Sequence, residues 1–104
     1  MTVHDISEIF KPVVLEADRK VEAVFCCDLL SVAMARAPQD AAWVTVIGNA
    51  NVVAVATLAD VSCVVIAEGY SFDQAAIEAA KGRITLLRSD KPIYETAVRI
   101  GSSL

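Results

Sequence analysis

The chain has little of what usually carries chemistry. Its only histidine is His4, and aromatic residues make up 6% of the 104 positions, too few for a platform that stacks bases. Basic residues number nine against thirteen acidic ones, a formal charge of -4. That balance disfavours phosphate backbones and anionic lipid. Lys81, Arg83, Arg88 and Lys91 are spaced rather than massed, so neither nucleic acid nor membrane is expected as a partner. Cys26, Cys27 and Cys63 are odd in number and two are adjacent, which gives no disulfide framework. Lying in apolar runs, they read as small buried hydrophobes of a protein in a reducing, cytoplasmic setting. The opening MTVHDISEIFK has acids where a signal peptide needs a basic segment. No apolar run reaches the ~20 residues that span a bilayer.

The catalytic constellations are missing as well. There is no GxxxxGK[ST] loop; GNANVV has neither the lysine nor the length to cradle phosphates. A nucleophile paired with histidine would have to use His4, far along the chain from the predicted strand ends. His4 and the three cysteines show no metal-ligand spacing. Asp18 and Asp28 have nothing to support them as a carboxylate pair. The sequence reads as non-catalytic, with no cofactor and no metal.

What is abundant is apolar residues, at 56%. They suffice for one modest core and one domain over residues 1–104. Short β-rich runs alternate with helix-length segments. Val3 to Phe10 has near-helical apolar spacing, with Thr2 and Asp5 as a capping pair and Pro12 beyond. Val13 to Leu15 and Val21 to Cys27 read as strands. Asp28 is placed to cap a helix from Leu29 to about Ala37, closed by Pro38. Trp43 to Ile47 is a strand ended by Gly48-Asn49.

Asn51 to Asp60 is read as a helix, although its valines favour strand. A strand there would leave three apolar strands in a row with almost no turn between them. Such a helix is apolar nearly all round and requires cover on every side. Ser62 to Ile66 is the next strand, followed by a helix that Ser71 and Gln74 would open as a capping box. Lys81-Gly82 would end it. Ile84 to Leu87 is the last strand. Asp90 is then expected to cap a closing helix with Pro92 in its first turn and Ile93, Ala97, Ile100 and Leu104 on one face. Strands joined through helices must pair parallel. The expected architecture is a three-layer α/β/α domain with a mostly parallel sheet of about five strands.

In such a sheet ligands bind at the C-terminal ends of the strands, where helix N-termini offer free N–H groups. The candidate ligand positions are Asp28, Asn49, Asn51, Gly69 and Arg88. Gly48 and Gly69 would let backbone approach closely. Asp28, Ser71 and Asp90 are most simply helix caps, and Thr57 can bond the carbonyl one turn back. Arg88 and Lys91 could neutralise a phosphate, with solvated edge charges as the simpler reading.

The run from Asp18-Arg19 through Asp28-Leu29-Leu30-Ser31 resembles the DRTGG domain family. The likeness continues through Trp43-Val-Thr-Val, Asn51-Val-Val-Ala-Val-Ala56 and Cys63-Val-Val-Ile-Ala-Glu-Gly69. Asp18, Arg19, Asp28, Leu29, Leu30, Ser31 and Asn51 match the family pattern. Ala23 and Val24 stand where the family has two glycines, so side chains fill space a ligand or partner backbone would otherwise approach. Members occur as regulatory modules of phosphate acetyltransferases and of pyrophosphatases with nucleotide-binding CBS modules, and as stand-alone proteins. The family is also similar to the N-terminal domain of HPr kinase/phosphorylase, whose kinase domain this chain lacks. The resemblance implies a self-associating regulatory or protein-interaction module of a metabolic system, with a metabolic enzyme or signalling protein as partner. The apolar helix after Asn51 points to a homodimer that buries it, since each Å² hidden contributes about 25 cal/mol. The alternative is a small-molecule sensor, for an adenine nucleotide, at the strand ends.

Overall fold

A computed structural model describes residues 1–104. Its elements run α1 (Val3–Ser7), β1 (Lys11–Val14), β2 (Ala23–Cys26), α2 (Leu30–Arg36), β3 (Ala41–Thr45), α3 (Ala50–Ala59), β4 (Cys63–Ile66), α4 (Gln74–Ala80), β5 (Thr85–Arg88) and α5 (Ile93–Gly101). One five-stranded sheet has the order β1-β5-β4-β3-β2. β2 to β5 pair parallel, and β1 lies antiparallel on β5. The α/β/α layering is therefore as expected. β1 is the one antiparallel member, because no helix carries the chain back before β2 begins.

Strand alternation divides the core into two layers. Trp43, Val64, Ile66 and Leu86 face one side with α2, α3 and α4. Ala42, Val44, Cys63, Val65 and Leu87 face the other with Val3 and Ile6 of α1 and Ile100 of α5. β3 is buried along its whole length and β4 likewise. That two-sided burial is why β4 is wholly apolar and β3 apolar up to Thr45.

Local chemistry sets several boundaries differently from the sequence reading. The Thr2–Asp5 capping box forms as expected, but α1 closes at Ser7. β3 stops at Thr45 rather than Ile47 because side chains take over the next two amides. Asp28 Oδ1 accepts the Val46 N–H at 2.8 Å, and Thr45 Oγ1 accepts that of Ile47 at 3.2 Å. Asp73, not Ser71, caps α4, accepting the Ala76 N–H at 2.8 Å. Ser71 lies two residues earlier, packed so closely on Gly48 that a Cβ there would collide with its carbonyl oxygen, and the Gly48 carbonyl accepts the Asp73 N–H at 2.8 Å. Asp90 does not cap α5 either. Pro92 is the N-cap residue, and the Glu68 carboxylate accepts the Ile93 N–H at 2.7 Å. Leu104, expected on the buried face of α5, is exposed.

The helix after Asn51 is confirmed, and Thr57 Oγ1 donates to the Val53 carbonyl at 2.8 Å. It is not shielded on every side. Val52, Val53, Val55 and Ala56 are buried within one copy of the chain, while Asn51, Ala54, Thr57 and Leu58 form an exposed stripe. Neighbouring helices α2 and α4 supply the cover that the sequence reading assigned to a second copy. Val55→Glu is therefore expected to unfold the single chain, since an unpaired buried charge costs several kcal/mol. Circular dichroism should show lost structure; a folded variant would contradict the packing.

Candidate functional site

Sequential order of four parallel strands leaves no reversal among β2, β3 and β4, so no crevice opens in the middle of the sheet. The change of side comes later. The loop after β4 leads to α4 on one face, and the loop after β5 leads to α5 on the other. Those two loops are tied together. Glu68 N–H donates to the Lys91 carbonyl at 2.8 Å, and Gly69 N–H to the Ser89 carbonyl at 3.2 Å. Gly69 has φ +72, a conformation suited to glycine. Its carbonyl accepts from the Arg88 guanidinium at 2.9 Å. Beneath the loop, the buried Ser89 and Thr96 hydroxyls bond at 2.8 Å, and Ser89 Oγ accepts the Lys91 N–H at 3.1 Å.

With the β4/β5 crevice closed by these bonds, the open concavity lies toward β1. It is a cleft of about 580 Å³ lined by Lys11, Arg88, Asp90, Lys91, Glu95 and Arg99, with Ser89 and two apolar residues. Lys11 reaches this end of the sheet because β1 runs antiparallel and pairs Lys11 with Arg88. A smaller cleft of about 270 Å³ shares Lys11 and Arg88 and lies against Phe72 and Ile77.

Of the five positions expected to hold ligand, only Arg88 lines a cleft. Asp28 neither caps α2, whose N-cap is Leu29, nor stands free. Its Oδ1 accepts from the Thr45 hydroxyl and the Val46 amide, both at 2.8 Å, and so clasps the end of β2 to β3. Asn49 is the N-cap of α3, accepting the Asn51 N–H at 2.9 Å. The Asn51 side chain is exposed on that helix, and Gly69 belongs to the loop bonds above. Lys11, Glu95 and Arg99 were missed by sequence reasoning. Only the antiparallel return of β1 and the path of α5 bring them together, and neither has a local sequence signal.

The Asp18-Arg19 pair lies at the opposite end, where the parallel strands begin. Arg19 donates to Asp40 at 2.7 Å and to Asp60 at 3.1 Å. Both acceptors sit at positive φ in the turns before β3 and β4. Partial burial opposes the Arg19 charge, but the two carboxylates outweigh it and raise its pKa. Asp18 accepts the His4 and Arg19 amides, each at 2.9 Å, and the His4 bond holds its carboxyl below the ordinary value of 3.8.

Because the folded pKa of Asp18 lies below the unfolded one, its contribution is complete above the unfolded value and is lost as pH falls through the folded one. The melting temperature should fall below about pH 4. Asp18→Asn keeps an acceptor oxygen and should remove that part of the fall; an unaltered acid limb would contradict it.

Of the three cysteines expected in the core only Cys63 is buried, and burial pushes its thiol up to about 12. Cys26 is exposed at the sheet edge and Cys27 half-buried, because β2 has a neighbour on one side alone. Desolvation with the Asp28 charge raises Cys26. No three His, Cys, Asp or Glu side chains gather as metal ligands, and no helix is long and apolar enough to cross a membrane. Neither the known family models nor the curated proteins include one that matches this chain.

Proposed function

We propose that the chain is a homodimeric, non-catalytic regulatory module of the DRTGG type, whose copies join edge to edge through β2 and act on a metabolic enzyme or signalling protein. The observation that carries this reading is the contrast between the two sheet edges. β1 has the devices that discourage pairing: a lysine at Lys11, a proline at Pro12 and a register shift between Pro12 and Val14. β2 has none of them. It is Ala23-Val24-Phe25-Cys26, partly exposed, with no charge and a single partner strand.

The apolar character extends beyond the strand. Leu29, Val32 and Met34 are 60%, 37% and 48% exposed at the start of α2 and along it. On the other face α5 packs against β2, with Val24 close to Gly101. A second copy is the occupant that fits, because a strand edge complements itself across a two-fold axis. The regulatory role follows from the resemblance carried by Asp18, Arg19 and the Asp28 to Ser31 run.

Sedimentation equilibrium tests the assembly. The expected mass is twice the 11.1 kDa of one chain; a single-chain mass at every concentration would overturn it.

A further inference from the structure

The chain has nine Lys and Arg side chains, and those with a carboxylate within ion-pair distance are Arg19, Lys20, Lys81 and Arg88. Of the five left without one, Lys11, Lys91 and Arg99 all line the 580 Å³ cleft at the β5 end of the sheet. The fourth cation there, Arg88, reaches Asp90 only at 3.6 Å, and that carboxylate is 84% exposed. The Arg88 Nε is also the one buried side-chain nitrogen or oxygen without a hydrogen-bond partner.

Four cations against two carboxylates give this cleft a local excess of two positive charges in a chain whose net charge is -4. Cations that outnumber their counter-charges repel one another, and a bound polyanion would relieve that repulsion. The cleft is of ligand size, but only two of its nine lining residues are apolar, which disfavours a purely apolar occupant. Arginine forks match phosphoryl oxygens bidentately, and lysines add point charge. Asp90 and Glu95, ionised acceptors on the same wall, suit hydroxyl donors rather than a second anion.

We propose that this cleft binds a phosphorylated, hydroxyl-bearing small molecule, a sugar phosphate or a nucleotide, through Lys11, Arg88, Lys91 and Arg99. The site is independent of the dimer: it adjoins β1 and β5, at the sheet edge opposite β2. Its floor is set in advance by the buried Ser89–Thr96 pair and by the Glu68 and Gly69 bonds to the β5–α5 loop. Ligand binding at this cleft therefore calls for no rearrangement of the loop backbone beneath it.

Amide chemical-shift titrations of the intact protein at fixed ionic strength, with fructose 1,6-bisphosphate, ADP and inorganic phosphate as probes, test the site. At least one organic phosphate should give saturable shifts at Lys11, Ser89 to Lys91 and Arg99, and bind more tightly than inorganic phosphate. The double variant Lys91→Ala/Arg99→Ala should weaken that binding by about tenfold or more, with an unchanged melting temperature. Arg36→Ala/Arg83→Ala removes two unpaired cations outside the cleft and should leave affinity within about twofold. The proposal is overturned by any of four results. These are absence of saturation up to roughly 10 mM for both organic phosphates, shifts centred elsewhere, inorganic phosphate bound as tightly, or equal weakening by the two double variants.

Discussion

Trp43→Ala is expected to lower the melting temperature by on the order of 15–30 °C. Trp43 is fully buried at the centre of β3, the strand covered on both faces along its length. Truncation removes the largest fully buried side chain and leaves a void between its cross-strand neighbours Phe25 and Val64, a loss of about 3–5 kcal/mol. It also removes the indole N–H that donates to the Cys27 carbonyl at 2.9 Å, the tie between β3 and the end of β2. Trp43→Phe separates the two effects: it keeps most of the volume, loses the bond and should cost about 1–2 kcal/mol. Thermal melts of the three proteins measure both steps. Equal stability of the alanine and phenylalanine variants would contradict the packing account.

The second large effect concerns assembly. Leu29→Glu/Met34→Glu should convert the proposed dimer to a folded monomer. Both side chains are exposed on the single chain, so the charges cost little within it. In a two-fold interface each substitution occurs twice, and like charges brought together out of water cost several kcal/mol. The dimer should weaken by two orders of magnitude or more. Leu58→Glu is the informative control. Leu58 is 72% exposed on α3, the helix that the sequence reading placed between copies. Leu58→Glu should leave the mass unchanged; dissociation by Leu58→Glu alone would move the interface to α3.

The layering was legible because parallel strands must be apolar on both faces, a pattern that Trp43 to Thr45 and Cys63 to Ile66 display openly. The helix 50–59 was also recoverable despite its valines, because a strand there would have left three apolar strands in a row with almost no turn chemistry between them. Cap assignments were less legible. Asp28 and Asp90 each precede a helix, yet the bonds go to partners distant in sequence, Asp28 to Thr45 and Val46 and Glu68 to Ile93, while Ser71 yields to Asp73 two residues on. Local pattern cannot rank a near cap against a remote acceptor that the fold brings within 3 Å. The cleft was hidden for the same reason. Lys11 and Arg99 lie at opposite ends of the chain, and only the antiparallel β1 and the crossing of α5 unite them. The opposite error came from Val55: helix composition shows that cover is needed, not whether neighbouring helices or a second copy supply it.

Amide hydrogen exchange across β2, followed as a function of protein concentration, tests edge pairing most directly. The outward-facing N–H groups of Ala23 to Cys26 should be protected at high concentration and lose that protection on dilution, in step with the fall in mass. In Leu29→Glu/Met34→Glu they should exchange rapidly at all concentrations. Rapid exchange of those amides while the protein sediments as a dimer would place the contact elsewhere and contradict pairing through β2.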